Sequence, residues 1–342
     1  MEKEEVYREH IEHQERRLSK AEEIAELSGI EGTAASKAAW LISITVSLGG
    51  FLFGYDTGYI SSVLVTLGTA LGHVLSSSEQ ELVTSLTSGG ALVGAVYAGL
   101  TADRYGRKMP IWAACAVFVL GTLLQATAYS VPQFAVGRFV VGLGVGSAAM
   151  IVPLYIGELA PAKYRGRMIA FNNMSVTFGQ LVASALGAGF QHVGKDGWRA
   201  TVAIGAGPAI ALAGLLFMCP ESPRQLVAHG HREQADRVLL RIYATSSPEQ
   251  RDAKIKSIEM SIQEATSTMA ETSLWQTTKL IFTTPATGRA VLTACLTMAI
   301  SQLGKSRPHE FLPVDTQLTC VVRRVQHAYV LRRHALCHCW VH

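Results

Sequence analysis

The sequence predicts an all-α membrane protein, and the placement of its charges is the first observation behind that prediction. Residues 40–220 contain 15 of the 56 charged side chains in 181 positions, about 8%, whereas the other 161 positions contain 41, about 25%. An ordinary soluble domain has roughly 25% charged residues. This membrane-like block between polar flanks excludes a single soluble globule, a disordered protein and a small disulfide scaffold. The net charge of +4 is too small to favour a nucleic-acid partner.

The second and third observations are the length of the uncharged stretches and their many glycines. A helix needs about 20 apolar residues to cross a bilayer. The stretches are apolar all round rather than on one face, and small residues let helices approach closely in lipid. The six predicted spans are 38–63, 82–102, 109–131, 132–156, 168–194 and 200–220. A further stretch, 290–304, has 15 uncharged residues and predicts a partial seventh span.

Basic residues in the loops predict the orientation, because cytoplasmic loops are enriched in Lys and Arg. Three basic residues follow the second span and three follow the fourth, and many more lie in 221–288. The loops after the first and third spans contain none, and the loop after the fifth has only Lys195. We therefore expect the even-numbered spans to end in the cytoplasm, with the N-terminus on the same side and no signal peptide.

The predicted organisation has five parts. Within the part that follows the bundle, 225–243 and 251–265 have helical spacing and are separated by Ser246, Ser247 and Pro248. A solvated helical linker is favoured there over a separate catalytic domain. The five parts are a cytoplasmic tail at 1–37, a six-transmembrane-helix bundle at 38–220, a cytoplasmic helical insert at 221–288, the partial seventh helix at 289–304 and a basic His/Cys-rich tail at 305–342.

The tail 305–342 does not fit the bundle. It holds six Lys or Arg, five of the eleven His and three of the six Cys, with no room for a span. We expect it to arise from a faulty gene model, such as a frameshift or a retained intron, or from a pseudogene. The alternative is a zinc site, although the cysteine spacing is Cys-x-Cys rather than the usual Cys-x₂-Cys. The zinc ligands would come from His334, Cys337, His338, Cys339 and His342.

Three motifs lie at the predicted cytoplasmic ends of the spans. They are Gly-Leu-Thr-Ala-Asp-Arg-Tyr-Gly-Arg-Lys at 99–108, Pro-Leu-Tyr-Ile-Gly-Glu at 153–158 with a basic segment at 163–167, and Pro-Glu-Ser-Pro-Arg at 220–224. Gly106 permits a tight turn, and Asp103 can accept hydrogen bonds from a neighbouring helix end. Arginines can hold carboxylates of other helices bidentately, so such a cluster could stabilise one conformation. A plain positive-inside anchor is an equally weighted interpretation. The candidate cytoplasmic gate residues are Asp103, Arg104, Gly106, Arg107, Lys108, Glu158, Arg165, Glu221 and Arg224.

In this order and spacing the motifs resemble the sugar porter family of the major facilitator superfamily. The segments 49–58, 58–64 and 170–180 are most similar to fungal myo-inositol transporters, and the resemblance covers about 38–304. It implies the N-terminal six-helix half of a twelve-span transporter, whose site lies between the halves. The implied function is proton symport of myo-inositol or a related sugar by alternating access. With one half supplied, we expect this chain alone to be inactive.

Two ions lie inside predicted spans, Asp56 in the first and Arg138 in the fourth. An unpaired ion at the bilayer centre costs at least about 2.5–3.5 kcal/mol, so each must face a cavity or the other. Breaking such a pair would let the aspartate take a proton. The resemblance implies that Asp56 and Arg138 couple transport to protons. The alternatives are a static ion pair and a helix-capping role for Asp56.

The resemblance also implies three substrate contacts, Phe53, Gln180 and Gln302. The Gln180 amide offers two donors and an acceptor to a polyol. A helix–helix hydrogen bond is the alternative for Gln180, and core packing is the alternative for Phe53. Gln302 lies at the edge of the resemblance.

The expected partners are a small polyol or hexose, protons and the lipid bilayer, with no cofactor, no metal and no nucleic acid. We expect the plasma membrane, with the vacuolar membrane as the alternative. A transporter-like sugar sensor is a second function class. A membrane enzyme is disfavoured, because the spans contain no nucleophile–base pair, metal motif or P-loop.

Overall fold

The structure, a computed structural model, is described over most of the predicted bundle and its insert. The residues described are 29–30, 36–191, 196–270, 292 and 296. Residues 1–263 form one compact unit and residues 264–342 a second. Helices joined by short turns account for the described part of the chain, which contains no β-strand. The all-α prediction is confirmed.

Eleven helices are described, and the six long segments that they form follow the predicted spans. In chain order they are α1 Lys37–Val46, α2 Leu48–Thr66, α3 Ser77–Tyr105, α4 Lys108–Ala126, α5 Val131–Leu159, α6 Ala162–Phe190, α7 Gly197–Ile204, α8 Ala206–Leu216, α9 Pro223–Ala228, α10 Arg232–Ile242 and α11 Pro248–Ala270. The predicted seventh span and the 305–342 tail lie outside the described residues, apart from Leu292 and Leu296, which are helical.

Two predicted spans contain a break. The first is divided at Ser47, whose hydroxyl donates to the Ser43 carbonyl at 2.7 Å. The sixth is divided at Gly205, between α7 and α8. Pro208 explains the second break, because its ring lacks an N–H and clashes with the carbonyl four residues earlier, that of Ile204.

Five helical segments in the described part of the chain are long and apolar enough to cross a membrane: α1 with α2, α3, α4, α5, and α7 with α8. The fifth predicted span corresponds to α6, which has 29 residues, as do α3 and α5. It is long enough to cross but more polar, since it carries Asn172, Asn173 and Gln180 along with basic residues in its first turns.

Glycines let the long helices pack backbone against backbone. A Cβ added at Gly54 of α2 would overlap the Val176 carbonyl of α6, and one at Gly179 of α6 would overlap the Phe51 carbonyl of α2. A Cβ at Gly94 of α3 would likewise overlap α5. The predicted close approach is confirmed, and it brings polar groups of different spans within hydrogen-bonding distance.

The apolar core has two parts, one toward each end of the bundle. Phe118, Ile151 and Leu212 belong to the part near the α3–α4 turn. Phe134 and Trp198 belong to the other part, where their rings pack edge to face with centroids 5.9 Å apart. Helix α5 contributes to both parts, so it is the central helix of the bundle.

In the described part of the predicted insert, residues 221–270, the chain is mainly helical, but the first predicted helix is divided. Gly230 adopts a φ of 77°, a left-handed conformation that favours glycine, and it separates α9 from α10. Helix α11 begins at Pro248, three residues before the predicted start of the second helix, and it ends at Ala270 rather than at residue 265. Arg232 of α10 pairs with Asp252 of α11 at 2.5 Å. Hydrogen bonds from Arg232 and then from Lys256 lower the pKa of Asp252.

Candidate functional site: two buried ion networks

The two predicted intramembrane ions form a buried pair. Arg138 Nη1 of α5 donates to Asp56 Oδ1 of α2 at 2.7 Å, and the two side chains are 2% and 3% exposed. Arg138 lies seven residues after the start of α5, about 10 Å along the helix axis. The pair therefore lies well inside the bundle, on the side of the α4–α5 turn.

Two neutral side chains that the sequence analysis did not select complete this network. Arg138 Nη1 also donates to the Tyr59 hydroxyl oxygen at 2.9 Å, and the Tyr59 hydroxyl donates to Gln125 Oε1 of α4 at 2.9 Å. Gln125 Nε2 donates to the Gly137 carbonyl at 3.3 Å. A glutamine within an apolar stretch is the signal that could have identified Gln125, which is fully buried. We call Asp56, Tyr59, Gln125 and Arg138 the Asp56 network.

The Asp56 network leaves one strong donor unused. Arg138 Nε is buried and has no hydrogen-bond partner among the described residues. The guanidinium carbon lies 5.5 Å from the centre of the Tyr59 ring. Arg138 thus has the capacity for a further acceptor, as expected of a group that changes partners.

The Arg199 side chain connects α7 to the α4–α5 turn, at the end of the bundle where the Asp56 network lies. Arg199 of α7 donates to the Ala126 carbonyl at 2.7 Å and to the Ala128 carbonyl at 2.8 Å. Its guanidinium carbon lies 4.7 Å from the Tyr129 ring centre and 4.6 Å from that of Trp198. These contacts fix the last turn of α4, which carries Gln125.

The predicted substrate contacts lie on α2 and α6. Phe53 is 37% exposed, and Gln180 is half-buried with no side-chain hydrogen bond among the described residues. A Cβ at Gly58 of α2 would lie 2.9 Å from the Gln180 backbone, so the two helices meet at this level. Both side chains are therefore available to a ligand. Gln302 lies outside the described residues.

A second buried network forms around Arg107 at the α3–α4 turn. Its guanidinium donates bidentately to Glu158 of α5, with Nη2–Oε1 at 2.8 Å and Nε–Oε2 at 3.1 Å. Nη1 donates to Asp103 Oδ1 at 2.9 Å and to the Ala102 carbonyl at 2.6 Å. Burial favours the neutral form of Arg107, but its hydrogen bonds and charge interactions with Glu158 and Asp103 outweigh burial and raise its pKa.

Glu221, rather than Asp103, accepts hydrogen bonds from the neighbouring helix end. Its carboxylate accepts the backbone N–H of Arg107 at 3.0 Å and that of Lys108 at 3.5 Å, at the start of α4. An anion is stabilised at a helix N-terminus. Gly106 makes the contact possible, because its φ is 87° and a Cβ there would lie 2.8 Å from a Glu221 oxygen.

Two further residues support this arrangement, and the sequence analysis selected neither. Gln225 Nε2 of α9 donates to the Asp103 carbonyl at 3.0 Å. The Tyr155 hydroxyl of α5 donates to the Pro220 carbonyl, directly before Glu221. We call Asp103, Arg107, Glu158 and Glu221 the Arg107 cluster.

The structure does not bring all the predicted gate residues together. The side chains of Arg104, Arg165 and Arg224 are exposed and make no ion pair among the described residues. Arg104 lies over its neighbouring Tyr105 ring, 5.6 Å from the ring centre. Lys108 contributes its backbone N–H. The motif thus combines buried contacts with exposed cations.

Three long helices and the α8–α9 connection meet at the Arg107 cluster, whereas the Asp56 network joins α2, α4 and α5 near their other ends. Both networks are held by ion pairs that could open without breaking a covalent bond. Within the described ranges, no three His, Cys, Asp or Glu side chains are grouped so that they could hold a metal ion. The candidate zinc residues of the tail lie outside those ranges.

Comparison with known proteins identifies the relatives of this chain. Residues 42–304 match the family described as Sugar (and other) transporter. Myo-inositol transporter 2 of Schizosaccharomyces pombe is 41% identical over 279 residues, which are 80% of this chain and 50% of that protein. Myo-inositol transporter 3C of Cryptococcus neoformans is 43% identical over 265 residues, 77% of this chain and 45% of that protein. The chain spans about half the length of the curated relatives that it matches.

Solved structures show the same fold. The inward-open xylose transporter XylE from E. coli is 30% identical, with a TM-score of 0.59 over 66% of this chain and 56% of that chain. A double Trp mutant of XylE gives a TM-score of 0.63 at 29% identity, over 68% of this chain and 55% of that chain. These relatives are sugar transporters and not enzymes.

Proposed function

Because the chain belongs to the Sugar (and other) transporter family, we propose that it forms the N-terminal half of a proton-coupled myo-inositol transporter. The observation that carries the proposal is the buried pair of Asp56 and Arg138, a carboxylate and a guanidinium 2.7 Å apart inside a multi-pass membrane protein. A sugar sensor would need no titratable pair inside the membrane. Transport therefore has better support than sensing.

Proton coupling follows from the two states of the pair. While Arg138 contacts Asp56, the carboxylate is stabilised in its charged form. When the Asp56 side chain moves away from Arg138, the buried carboxylate becomes costly and takes a proton. When the site opens to the other side of the membrane, renewed contact with Arg138 favours release of the proton from Asp56.

Substrate binding is assigned to Phe53 of α2, which is partly exposed, and to Gln180 of α6, whose side chain has no hydrogen bond among the described residues. The Gln180 amide donates to and accepts from hydroxyl groups of the polyol, and Phe53 packs on its apolar ring face. Gln302 would contribute from the seventh helix. Myo-inositol is proposed as the substrate because the similar fungal proteins are myo-inositol transporters.

The Arg107 cluster is assigned to the gate on the cytoplasmic side. Its contacts join α3, α4, α5 and the chain after α8, and they must open if these ends separate. Opening costs the bidentate contact of Arg107 with Glu158 and leaves two buried charges to be solvated. The closed gate therefore stabilises one of the two alternating-access states.

The proposal places the N-terminus in the cytoplasm and the protein in the plasma membrane, with the vacuolar membrane as the alternative. In this fold the substrate site forms between two six-helix halves. The 342 residues supply the bundle of one half. They are accordingly proposed not to transport by themselves.

A chimera tests the function. This chain is continued after Gly304 with the corresponding C-terminal part of Myo-inositol transporter 2 of Schizosaccharomyces pombe, and expressed in yeast cells without inositol uptake of their own. Uptake of labelled myo-inositol and the accompanying proton uptake are measured. We expect concentrative, proton-coupled uptake by the chimera and none by the 342-residue chain.

The matched variants are Asp56→Asn and, as a control, Glu81→Gln, which changes an exposed carboxylate in the first turns of α3, near the same end of the bundle. Asp56→Asn should abolish proton uptake and accumulation while leaving exchange of inositol across the membrane. Glu81→Gln should leave both unchanged. Proton uptake with inositol by the Asp56→Asn chimera would refute the coupling role, and uptake by the 342-residue chain would refute its inactivity.

A further inference from the structure

We propose that Gln125 is a positioning residue for the proton site, acting through Tyr59 on Arg138 and Asp56. The inference rests on the proposed proton coupling and goes beyond it. Gln125 is fully buried, and it belongs to α4, which supplies neither member of the ion pair. Its side chain joins α4 to α2 through Tyr59 and to α5 through the Gly137 carbonyl.

The directions of the hydrogen bonds follow from the groups involved. Arg138 only donates, so the Tyr59 hydroxyl oxygen accepts from it. The Gly137 carbonyl only accepts, so the amide nitrogen of Gln125 faces it and Oε1 faces Tyr59. The single hydroxyl proton of Tyr59 is consequently directed to Gln125, with a lone pair toward Arg138.

This direction matters when Asp56 becomes neutral. Arg138 then loses its only anionic partner in the described part of the chain, and an unpaired cation at this depth is costly. The Tyr59 oxygen can continue to accept from Arg138 because Gln125 holds the Tyr59 proton on the other side. The hydrogen bond from Tyr59 to Gln125 thereby stabilises the state in which Asp56 carries a proton.

Removal of the Gln125 acceptor reverses the effect. The Tyr59 hydroxyl and Asp56 Oδ1 both accept from Arg138 Nη1, at 2.9 and 2.7 Å, so without Gln125 the Tyr59 hydroxyl can turn its proton to the Asp56 carboxylate. A hydrogen bond donated to the ionised form favours that form. The fraction of protonated Asp56 at a given pH should then fall.

No other charged group competes for this role on the described helices packed against α2. Helix α8 has no charged residue, and α1 has only Lys37, at its first position. Helix α6 has Lys163, Arg165 and Arg167 in its first turns, near the end of α5 that carries Glu158, and none in residues 171–190. Arg199 of α7 is directed to the Ala126 and Ala128 carbonyls. Helix α5 contributes Arg138 itself and Glu158, which is held in the Arg107 cluster.

The test measures protonation directly on the 342-residue chain in lipid nanodiscs. Infrared difference spectra across a pH titration show the carbonyl stretch of a protonated carboxyl group, and Asp56→Asn identifies the band of Asp56. Gln125→Leu should move the midpoint of this band to lower pH by about one unit, a tenfold change in the ratio of protonated to ionised carboxyl. Gln125→Met, which keeps an unbranched side chain but replaces the amide oxygen with a weakly accepting thioether, should shift the midpoint in the same direction. It provides a second test if Gln125→Leu folds poorly.

Two comparisons separate positioning from a merely structural role. Gln133→Leu changes a glutamine of α5 whose hydrogen bonds to described residues go to the backbone of Thr127 and Tyr129, and it should leave the midpoint unchanged. In a Tyr59→Phe background, Gln125→Leu should cause no further shift, because its effect passes through the Tyr59 hydroxyl.

The inference is overturned if both Gln125 variants titrate like the unsubstituted chain, or if Gln125→Leu shifts the Tyr59→Phe chain equally. If Asp56→Asn removes no band, Asp56 takes up no proton, and the proposed proton coupling fails together with the inference. The two failures are therefore distinguishable.

Discussion

At the scale of single residues, two arginines of one motif have opposite environments. Arg107 is 5% exposed and contacts two carboxylates, whereas Arg104, three residues earlier, is exposed and lies over the Tyr105 ring. Residue type alone does not distinguish them. The difference arises because α3 ends at Tyr105 and the turn at Gly106 directs Arg107 back into the bundle.

Arg107→Ala should therefore lower the stability of the bundle by about 3 kcal/mol, because it leaves Glu158 as a buried carboxylate without its cation. Arg104→Ala should change stability by less than about 0.5 kcal/mol, as expected for an exposed side chain. The measurement is the free energy of unfolding of the purified chain in detergent, followed by circular dichroism. Equal effects of the two variants would show that the bidentate contact does not stabilise the fold.

Two members of the Asp56 network can be recognised from the sequence, and the other two cannot. Asp56 and Arg138 are recognisable in the sequence because charges are rare within the spans. Tyr59 and Gln125 are not, because a tyrosine or glutamine in a span is ordinary until its neighbours on other helices are known. Their hydrogen bonds connect residues 66 and 79 positions apart in the chain.

At the scale of helices, the pairing of α2 with α6 depends on backbone contact. Gly54 and Gly179 allow each helix to approach the carbonyls of the other. This contact places Asp56 of α2 and Gln180 of α6 on the same pair of helices. The proposed proton site and substrate site thus lie on two helices, α2 and α6, that pack directly against each other.

Gly54→Ala should destabilise the bundle by about 1–3 kcal/mol, since the added methyl group overlaps the Val176 carbonyl and forces a backbone shift. Gly166→Ala is the matched control in α6, where a Cβ meets nothing within 4 Å. It should stabilise the helix by up to about 1 kcal/mol. Thermal unfolding in nanodiscs measures both, and an unchanged melting temperature for Gly54→Ala would contradict the packing described.

At the scale of the whole molecule, the two ion networks lie toward opposite ends of one bundle. Loops beyond the Asp56 network are poor in basic residues, whereas the motifs around the Arg107 cluster are rich in them. By the positive-inside rule, this charge distribution supports the proposed cytoplasmic position of the Arg107 cluster. A transporter that alternates between two open states needs contacts of this kind on both sides of its substrate.

The orientation is testable with two exposed threonines in a chain whose six cysteines are replaced by serine. Thr69 lies in the α2–α3 connection and Thr245 in the α10–α11 connection. In intact cells, a maleimide that cannot cross the membrane should label the T69C chain and not the T245C chain. Permeabilised cells should give labelling of both, and the reverse pattern in intact cells would invert the proposed topology.

The sequence by itself determined the class of the protein, the positions of the spans and the positions of the few charges within them. Transfer of each stretch into lipid depends on its own composition, and a charge inside a span is conspicuous wherever the other helices lie. The helix breaks at Ser47 and Gly230 were not predicted, because a glycine or serine in an apolar or helical stretch is compatible with both continuation and interruption.

Only the tertiary structure decided which groups meet. In the folded bundle Arg107 pairs with Glu158, and Glu221 rather than Asp103 accepts the backbone N–H at the start of α4. Tyr59 and Gln125 lie beside the ion pair. Arg107 and Glu221 are 114 positions apart in the chain. Contacts at such separation are set by how whole helices pack, and glycine-mediated approach of their backbones, rather than local sequence, fixes that packing.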